Sequence, residues 1–383
     1  MDAIRLHAFG PPENLALDQV PDPVPGPNEV RVAVRAHGVH LLDTTLRRGE
    51  AGGPLPLPDL PTIPGREIAG VVDAVGPGVD AAWRGRRVAA HLGARPDGGG
   101  YARLAVVPVE ALHRVPAHVT APDALAMIGT GRTAVGILDL AELTAEDVVV
   151  VTAAAGGLGT LLVQAAAATG ARVVGLAGGP VKAALVRSLA EVSGPQVTRV
   201  TARPDTADGA RVLSGPPSTG VTSHPDSERG TLTAIDYRAD GWLDAARTAV
   251  GPSGATVLLD GVGGDAGTDA ASLVRDGGRL VLFGWSSGAA NRAAERPDDG
   301  GAGEDVGRDH RKSGGPASTH DVRWAVGPLA RPWGDLFALQ ERALALAADG
   351  TWRVITHQVP LAEAARAHRE LEERATTGKV VLV

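Results

Sequence analysis

Residues 152 to 164 read TAAAGGLGTLLVQ, a stretch trimmed to Ala and Gly between the apolar run DVVVVTA and an apolar, helix-like segment. Ala154, Gly156, Gly157, Leu158 and Gly159 fall in the turn between the two. Where a strand turns directly into a helix, free N–H groups face outward at the positive end of the helix dipole, and a nucleotide pyrophosphate can rest there. Only Gly or Ala lets backbone and phosphate come close, and Gly159 also lets the helix lie tightly on its sheet. Ala154 stands where G-x-G-x-x-G has its first Gly, so the turn alone is equally compatible with plain tight strand–helix packing. The following strand, ARVVGLAGG, completes a βαβ unit and favours the nucleotide. That strand ends in Ala177-Gly178-Gly179-Pro180, not in the Asp or Glu that binds a ribose 2′-hydroxyl. No acid there repels a 2′-phosphate, and Lys182, with Arg187 beyond it, can pair with one. NADP(H) is therefore expected over NAD(H); the bland alternative for Lys182 is a solvated residue in the first turn of the next helix.

Positioning such a turn requires a buried parallel sheet. From about Ala124 to Leu282 helical and strand patterns alternate, and DVVVVTA, ARVVGLA, ATVLLDGV and RLVLFG are almost unbroken apolar runs, as strands covered on both faces must be. Ahead of them, from Met1 to about Pro122, the short runs EVRVAVRAHGV, EIAGVVDAVG, RRVAAHL and YARLAVVP are separated by Pro and Gly, as in a small β-rich domain. After about Val322 come a helix (DLFALQERALALAADG), a strand-like WRVITHQV, a second helix (LAEAARAHRELEERA) and a closing strand, GKVVLV. Two stretches, 191–230 and 288–320, are rich in Ser, Thr, Pro, Gly and Asp without periodicity, so flexible surface insertions are expected at both. No fixed-period repeat is present.

Composition narrows the classes. The 383 residues are 44% hydrophobic and 21% charged, ordinary for a globular chain of about two domains. A net charge of −7 gives no footing for a nucleic-acid or anionic-membrane partner. With no cysteine, disulfides and thiolate metal sites are excluded. The opening MDAIRLHAFGPPENL lacks an apolar signal core and no run approaches the roughly 18 apolar residues of a membrane span, so a cytoplasmic protein is expected.

The turn and its βαβ unit, together with PTIPGREIAGVVDAVGPGVD, GGYARLAVVP, GRTAVGIL, VLLDGVGGD, RLVLFG and AEAARAHRELEERATTGKVVLV, resemble the medium-chain dehydrogenase/reductase superfamily, and within it the zinc-independent quinone oxidoreductase branch. The resemblance runs in order through nearly the whole chain outside the two insertions. It implies an α/β fold: a GroES-like β-rich catalytic domain (1–122 and 352–383) around a Rossmann domain with a doubly wound parallel sheet (123–351), the cofactor lying in the cleft between them. Zinc-containing members carry a Cys in the segment matching AHGVHLLDTT and a His after the PG of PTIPGREIAG. Here Val39-His40-Leu41-Leu42-Asp43 and Arg66 stand there, so no catalytic zinc is expected, and the isolated His7, His91, His113, His118 and His224 read as surface or core residues.

For a metal-free member the resemblance implies hydride transfer from NADPH to a quinone or an α,β-unsaturated carbonyl, with the protein supplying orientation and donors toward the developing oxyanion. The matching catalytic positions are His40, Asp43 and Thr133. His40 replaces the family's Asn and Thr45 a frequent Tyr. His40 reads either as a donor titrating near neutral pH or as a buried His bonded to backbone. Asp43 reads as orienting a neighbour or capping the helix TTLRRG, and the proton can come from water. Further cofactor contacts implied are Tyr237 at the adenosine phosphate end, Arg374 near the 2′-phosphate with Lys379 close by, and Val262, Gly263, Phe283, Gly284 and Trp285 on the nicotinamide side. Trp285 either narrows the pocket or is a core aromatic. Two other readings stay open: an enoyl reductase of a biosynthetic pathway, and a non-catalytic NADPH-binding or redox-sensing protein. A homodimer is compatible with the family, and no segment specifies one.

Overall fold

In a computed structural model of the chain, the residues described are 1–51, 55–93, 99–190, 230–284, 286–287, 289, 291–292, 320–325 and 333–383. The expected insertions at 191–230 and 288–320 lie, but for a few residues, outside them, and so does Trp285.

The amino-terminal strands are β1 (Asp2–Leu6), β2 (Leu15–Gln19), β3 (Glu29–Gly38), β4 (Glu67–Val75), β5 (Arg87–His91), β6 (Leu104–Pro108) and β7 (Leu112–Arg114). Those of the central region are β8 (Val148–Val151), β9 (Arg172–Ala177), β10 (Leu232–Asp236), β11 (Ala255–Asp260), β12 (Val274–Leu282) and β13 (Asp321–Trp324), followed near the end of the chain by β14 (Thr356–Val359) and β15 (Lys379–Leu382).

Strands β8 to β13 form one parallel sheet in the order β10-β9-β8-β11-β12-β13. The chain winds outward from β8 in one direction and then returns to wind outward from β11 in the other, which is the doubly wound arrangement. The apolar runs are explained by burial on both faces. Val149 and Val151 of β8 enter one hydrophobic cluster and Val150 the other, and Leu259 and Leu258 of β11 divide in the same way. Period-two alternation between two dry faces leaves no position for a polar residue.

The second sheet has the order β14-β15-β3-β4-β5-β7, with β6 also paired to β3. Its inner residues Val30, Val32, Val34, Ile68, Val72 and Val88 form their own cluster. Strand β15 inserts between β14 and β3, Val381 opposite Gly38 and Leu382 opposite His37, so the end of the chain completes a sheet begun near residue 29.

Between the sheets runs a continuous helical stretch, Ala121–Ala141, whose middle, Met127–Gly131, is π-helical. By length and composition it could cross a membrane, which the reading of apolar runs did not anticipate. Buried over 72% of its most apolar window, it serves as a core helix. Single π-turns of this kind often stand at functional sites, and this one faces the cleft described next.

Candidate functional site

The Gly-rich turn lies at the carboxyl end of β8, beside β11, where the winding of the sheet reverses. Ala153 takes the left-handed conformation (φ 48°), at a steric cost of about 1 kcal/mol for a non-glycine residue. Ala154, one position later, is fully buried. It lies beneath the turn against Gly175 of β9, not in the cleft as expected, because its N–H bonds back to the Leu176 carbonyl at 2.9 Å. The helix then starts at Gly157. A Cβ at Gly159 would lie 2.1 Å from the Ala153 carbonyl oxygen, whereas one at Gly156 would meet nothing closer than that same oxygen at 3.2 Å. Gly159 is thus required by packing, and Gly156 keeps the cleft open.

Asp260, at the end of β11, ties this turn to its neighbour. The carboxylate is fully buried and accepts from the Thr152 hydroxyl (2.7 Å), the Val262 N–H (2.9 Å), the Gly263 N–H (3.2 Å) and the Asn291 amide (2.9 Å). Gly263 therefore contributes its backbone to the support beneath the cleft, and Gly284 does the same by lying against Gly261; neither lines the cleft.

The cleft itself has a volume of about 320 Å³. Gly156, Gly157, Leu158 and Gly159 form its floor, and Gly178, Lys182, Tyr237 and Arg374 surround one end. Val262 and Phe283 line the middle, and His40 and Lys379 close the other end. At the first of these ends Tyr237 covers Gly178 so closely that a Cβ there would lie 2.7 Å from the Tyr hydroxyl. The Lys182 ammonium donates to the Arg374 carbonyl (2.5 Å), and the Arg374 guanidinium donates to the Ser286 carbonyl (2.8 Å). Asp236, the acid at the end of the next strand, accepts from the Gly179 and Arg238 N–H groups. Burial and the nearby Arg238 and Arg374 charges hold Lys182 below its ordinary pKa. An anion would relieve that repulsion between three clustered cations.

The opposite end is built from side chains. His40 is the N-cap of the helix Leu41–Arg48; Asp43, at the third helical position, accepts the His40 N–H at 2.8 Å and thus caps the helix from within. The helix begins at Leu41, earlier than TTLRRG suggested, because the Asp43 carboxylate caps the chain at His40, ahead of Leu41 and Leu42. Thr45 turns its hydroxyl back to the Leu41 carbonyl. Asp43 also receives Arg66 at 3.1 Å. Glu67 is sunk between Gly38 and Gly129, where added Cβ atoms would lie 2.5 and 1.5 Å from its oxygens. The His40 Nε2 is 3.1 Å from Glu67 Oε1 and 2.7 Å from the Lys379 ammonium, which is itself 3.3 Å from Glu67 Oε2. His40 is bonded to side chains here, not to backbone. Lys379, expected beside Arg374, stands in this cluster instead, because β15 pairs with β3.

Electrostatics follow from that geometry. Burial favours neutral Glu67, yet the charges of His40 and Lys379 outweigh it and hold the carboxyl well below its ordinary range. Burial likewise works against charge on His40, but Glu67 prevails and raises it above the usual histidine value. Lys379 ends below its ordinary value because burial outweighs its attraction to Glu67. When His40 is neutral, Nε2 can accept from the ammonium with the proton on Nδ1, facing Asp43 at 3.6 Å; when Nε2 is protonated, its charge faces the Glu67 carboxylate at 3.1 Å. The cluster can hold or pass one proton at the edge of the cleft.

A second chamber of about 210 Å³ adjoins the cleft and shares His40, Thr130 and Leu158 with it. Thr133 opens into this chamber, together with Arg66, Glu67, His91 and Arg132. Burial pushes His91 down to about 4, so it is neutral at physiological pH. Sequence reasoning missed Glu67, Arg132 and Asp260 and set His91 aside. The available signals were a carboxylate breaking the apolar run EIAGVV and an arginine beside Thr133 in GRTAVG. Among the described residues no group of three or more His, Asp or Glu is gathered to hold a metal, and the Lys379 ammonium lies against both His40 and Glu67.

Two family descriptions match the chain: alcohol dehydrogenase GroES-like domain over residues 26–117, and zinc-binding dehydrogenase over residues 230–382. A quinone oxidoreductase of Pseudomonas aeruginosa is 30% identical over 99% of this chain and 98% of its own length. A 2-haloacrylate reductase from a Burkholderia species is 28% identical over 76% of this chain and 74% of its own. The crystal structure of Escherichia coli quinone oxidoreductase complexed with NADPH is 25% identical and superposes with a TM-score of 0.70, covering 100% of each chain.

Proposed function

The chain belongs to the medium-chain dehydrogenase/reductase superfamily, in its quinone oxidoreductase-like branch, and from that premise we propose that it is an NADPH-dependent, zinc-independent reductase of quinones or α,β-unsaturated carbonyls. The observation that carries the reading is one continuous cleft with a backbone-built floor, Lys182 and Arg374 lining one end with Arg238 beside Gly178, and a buried His40–Glu67–Lys379 cluster at the other. The open space at Gly156 fits a pyrophosphate, and Lys182, Arg238 and Arg374 fit a 2′-phosphate.

NADPH, when bound, supplies a hydride. The remaining work falls to this chain's own residues. The Gly156 N–H donates to the Ala153 carbonyl (2.8 Å), so the phosphates are bound by the N–H groups that open the helix at Gly157, and Tyr237 closes over Gly178. Val262 and Phe283 give the middle of the cleft apolar walls that exclude water. His40, or Lys379 behind it, donates to the oxygen on which negative charge develops, and Glu67 stabilises the positive charge of that donor. Zinc independence is supported by the absence of cysteine and by the Lys379 ammonium, which lies against both His40 (2.7 Å) and Glu67 (3.3 Å), where a second cation would be repelled.

The test is NADPH consumption, beside NADH, with 1,4-benzoquinone and a small panel of enones, in the presence of a chelator. Turnover preferring NADPH is expected, and each of Lys182→Ala and Arg374→Ala should reduce the NADPH-over-NADH preference in kcat/KM about tenfold, or about 1.4 kcal/mol. Preference for NADH, or discrimination unmoved by both substitutions, would refute the 2′-phosphate assignment. NADPH binding without turnover on any acceptor would favour a non-catalytic protein.

A further inference from the structure

Of the cationic side chains at the second chamber, Arg66, His40 and Lys379 each meet a carboxylate and, among the described residues, Arg132 does not. Arg66 meets Asp43 at 3.1 Å, and Glu67 is flanked by His40 at 3.1 Å and Lys379 at 3.3 Å. Arg132 also lines the chamber, yet it makes no side-chain hydrogen bond or ion pair among the described residues, and its Nε is buried without a partner. The Nε of Arg66, a residue 6% exposed on the same wall, is equally unpartnered. Arg132 is only partly buried, but its buried Nε has lost water without gaining a hydrogen-bonded counter-ion, which is costly. Burial accordingly lowers its proton affinity, and Glu67, already committed to two other cations, only partly opposes this. The 2′-phosphate end does not need Arg132, since Lys182, Arg238 and Arg374 serve it, and Arg132 does not line the cofactor cleft.

We propose that the chamber takes an acceptor carrying a carboxylate, which the Arg132 guanidinium binds while the reducible C=C–C=O group lies toward His40 and Thr130. This deepens the reductase reading and rests on it. The planar fork of Arg132 suits a carboxylate in two-point contact, and Thr133 beside it offers a hydroxyl to the same group. A volume of about 210 Å³ limits the acceptor to a short-chain or single-ring keto acid.

The experiment uses the full chain with NADPH. 4-Oxopentanoate and 2-pentanone, which lack the reducible bond, are compared as inhibitors of benzoquinone reduction competitive with the acceptor. In parallel, kcat/KM is measured for 4-oxopent-2-enoate and for its neutral counterpart 3-penten-2-one. The acid should inhibit at least tenfold more tightly than the ketone, and Arg132→Gln should lower the acid-to-neutral ratio of kcat/KM at least tenfold, with Arg132→Lys restoring part of it. Equal inhibition by acid and ketone, or a ratio unmoved by Arg132→Gln, overturns the proposal while benzoquinone turnover leaves the reductase reading intact. No NADPH consumption with any acceptor, benzoquinone included, overturns both. Should Arg132→Gln fail to fold, the inhibitor comparison on the unsubstituted protein decides.

Discussion

The two ends of the cleft are made of different material. At one end the floor is backbone: a turn of eight residues, Thr152 to Gly159, in which Gly159 has no room for a side chain and Gly156 keeps the cleft open. The opposite end is an assembly of side chains from separate segments: His40 beside the helix it caps, Arg66 and Glu67 at the head of β4, Arg132 after the π-turn and Lys379 on β15. A backbone site is specified within one short stretch and fails only when something fills it. A buried side-chain cluster depends on every partner at once, because each charge is tolerated only through the others.

Three substitutions would break or sharpen that contrast. Glu67→Gln should have the largest effect. It leaves Lys379 and His40 without their common carboxylate in a site 1% exposed, and breaking a buried pair in this way costs about 3–5 kcal/mol. Urea denaturation would measure it, and a cost below about 1 kcal/mol would mean that the cluster is not held by charge pairing. Gly156→Val should leave the fold in place, since its backbone is extended (φ −80°, ψ 175°) and a Cβ meets only the Ala153 carbonyl at 3.2 Å. NADPH affinity should nevertheless fall about 100-fold, or about 2.7 kcal/mol. A fluorescence titration showing undiminished binding would place the phosphates elsewhere.

The smallest effect belongs to pH. Histidine is ordinarily half-protonated near pH 6.5, and His40 in the folded protein is raised above that, burial being outweighed by Glu67. Its contribution to stability is therefore complete below about pH 6.5 and is lost as pH rises through the raised folded value. Melting curves from pH 6 to 8 should show the unsubstituted protein losing stability relative to His40→Asn over that window. Parallel curves would place His40 outside the coupled cluster.

Local signals carried most of the architecture. Unbroken apolar runs are possible only where both faces of a strand are buried, so the parallel sheet could be read from DVVVVTA and ATVLLDGV directly. The same logic singled out the Gly-rich turn and Lys182, which line one cleft, because Gly156, Gly178 and Lys182 answer to constraints within a single βαβ unit. Ala154 was misplaced by one position because a motif fixes spacing but not which φ turns positive. Glu67 and Arg132 went unread since a lone charge beside an apolar run looks the same in sequence whether it meets water or another charge.

Taken alone, the sequence determined the order of strands and helices, the absence of thiol chemistry and the stretch where a nucleotide can approach, all of which follow from residue type and near-neighbour spacing. Tertiary structure alone decided that Lys379 serves His40 and Glu67, not the end of the cleft that holds Lys182 and Arg374. That choice depends on the register of β15 against β3, with Val381 opposite Gly38, and on Gly38 and Gly129 leaving room for a carboxylate between them. Such pairings join residues more than three hundred positions apart, and their energy comes from shared exclusion of water, which exists only once the sheets have closed.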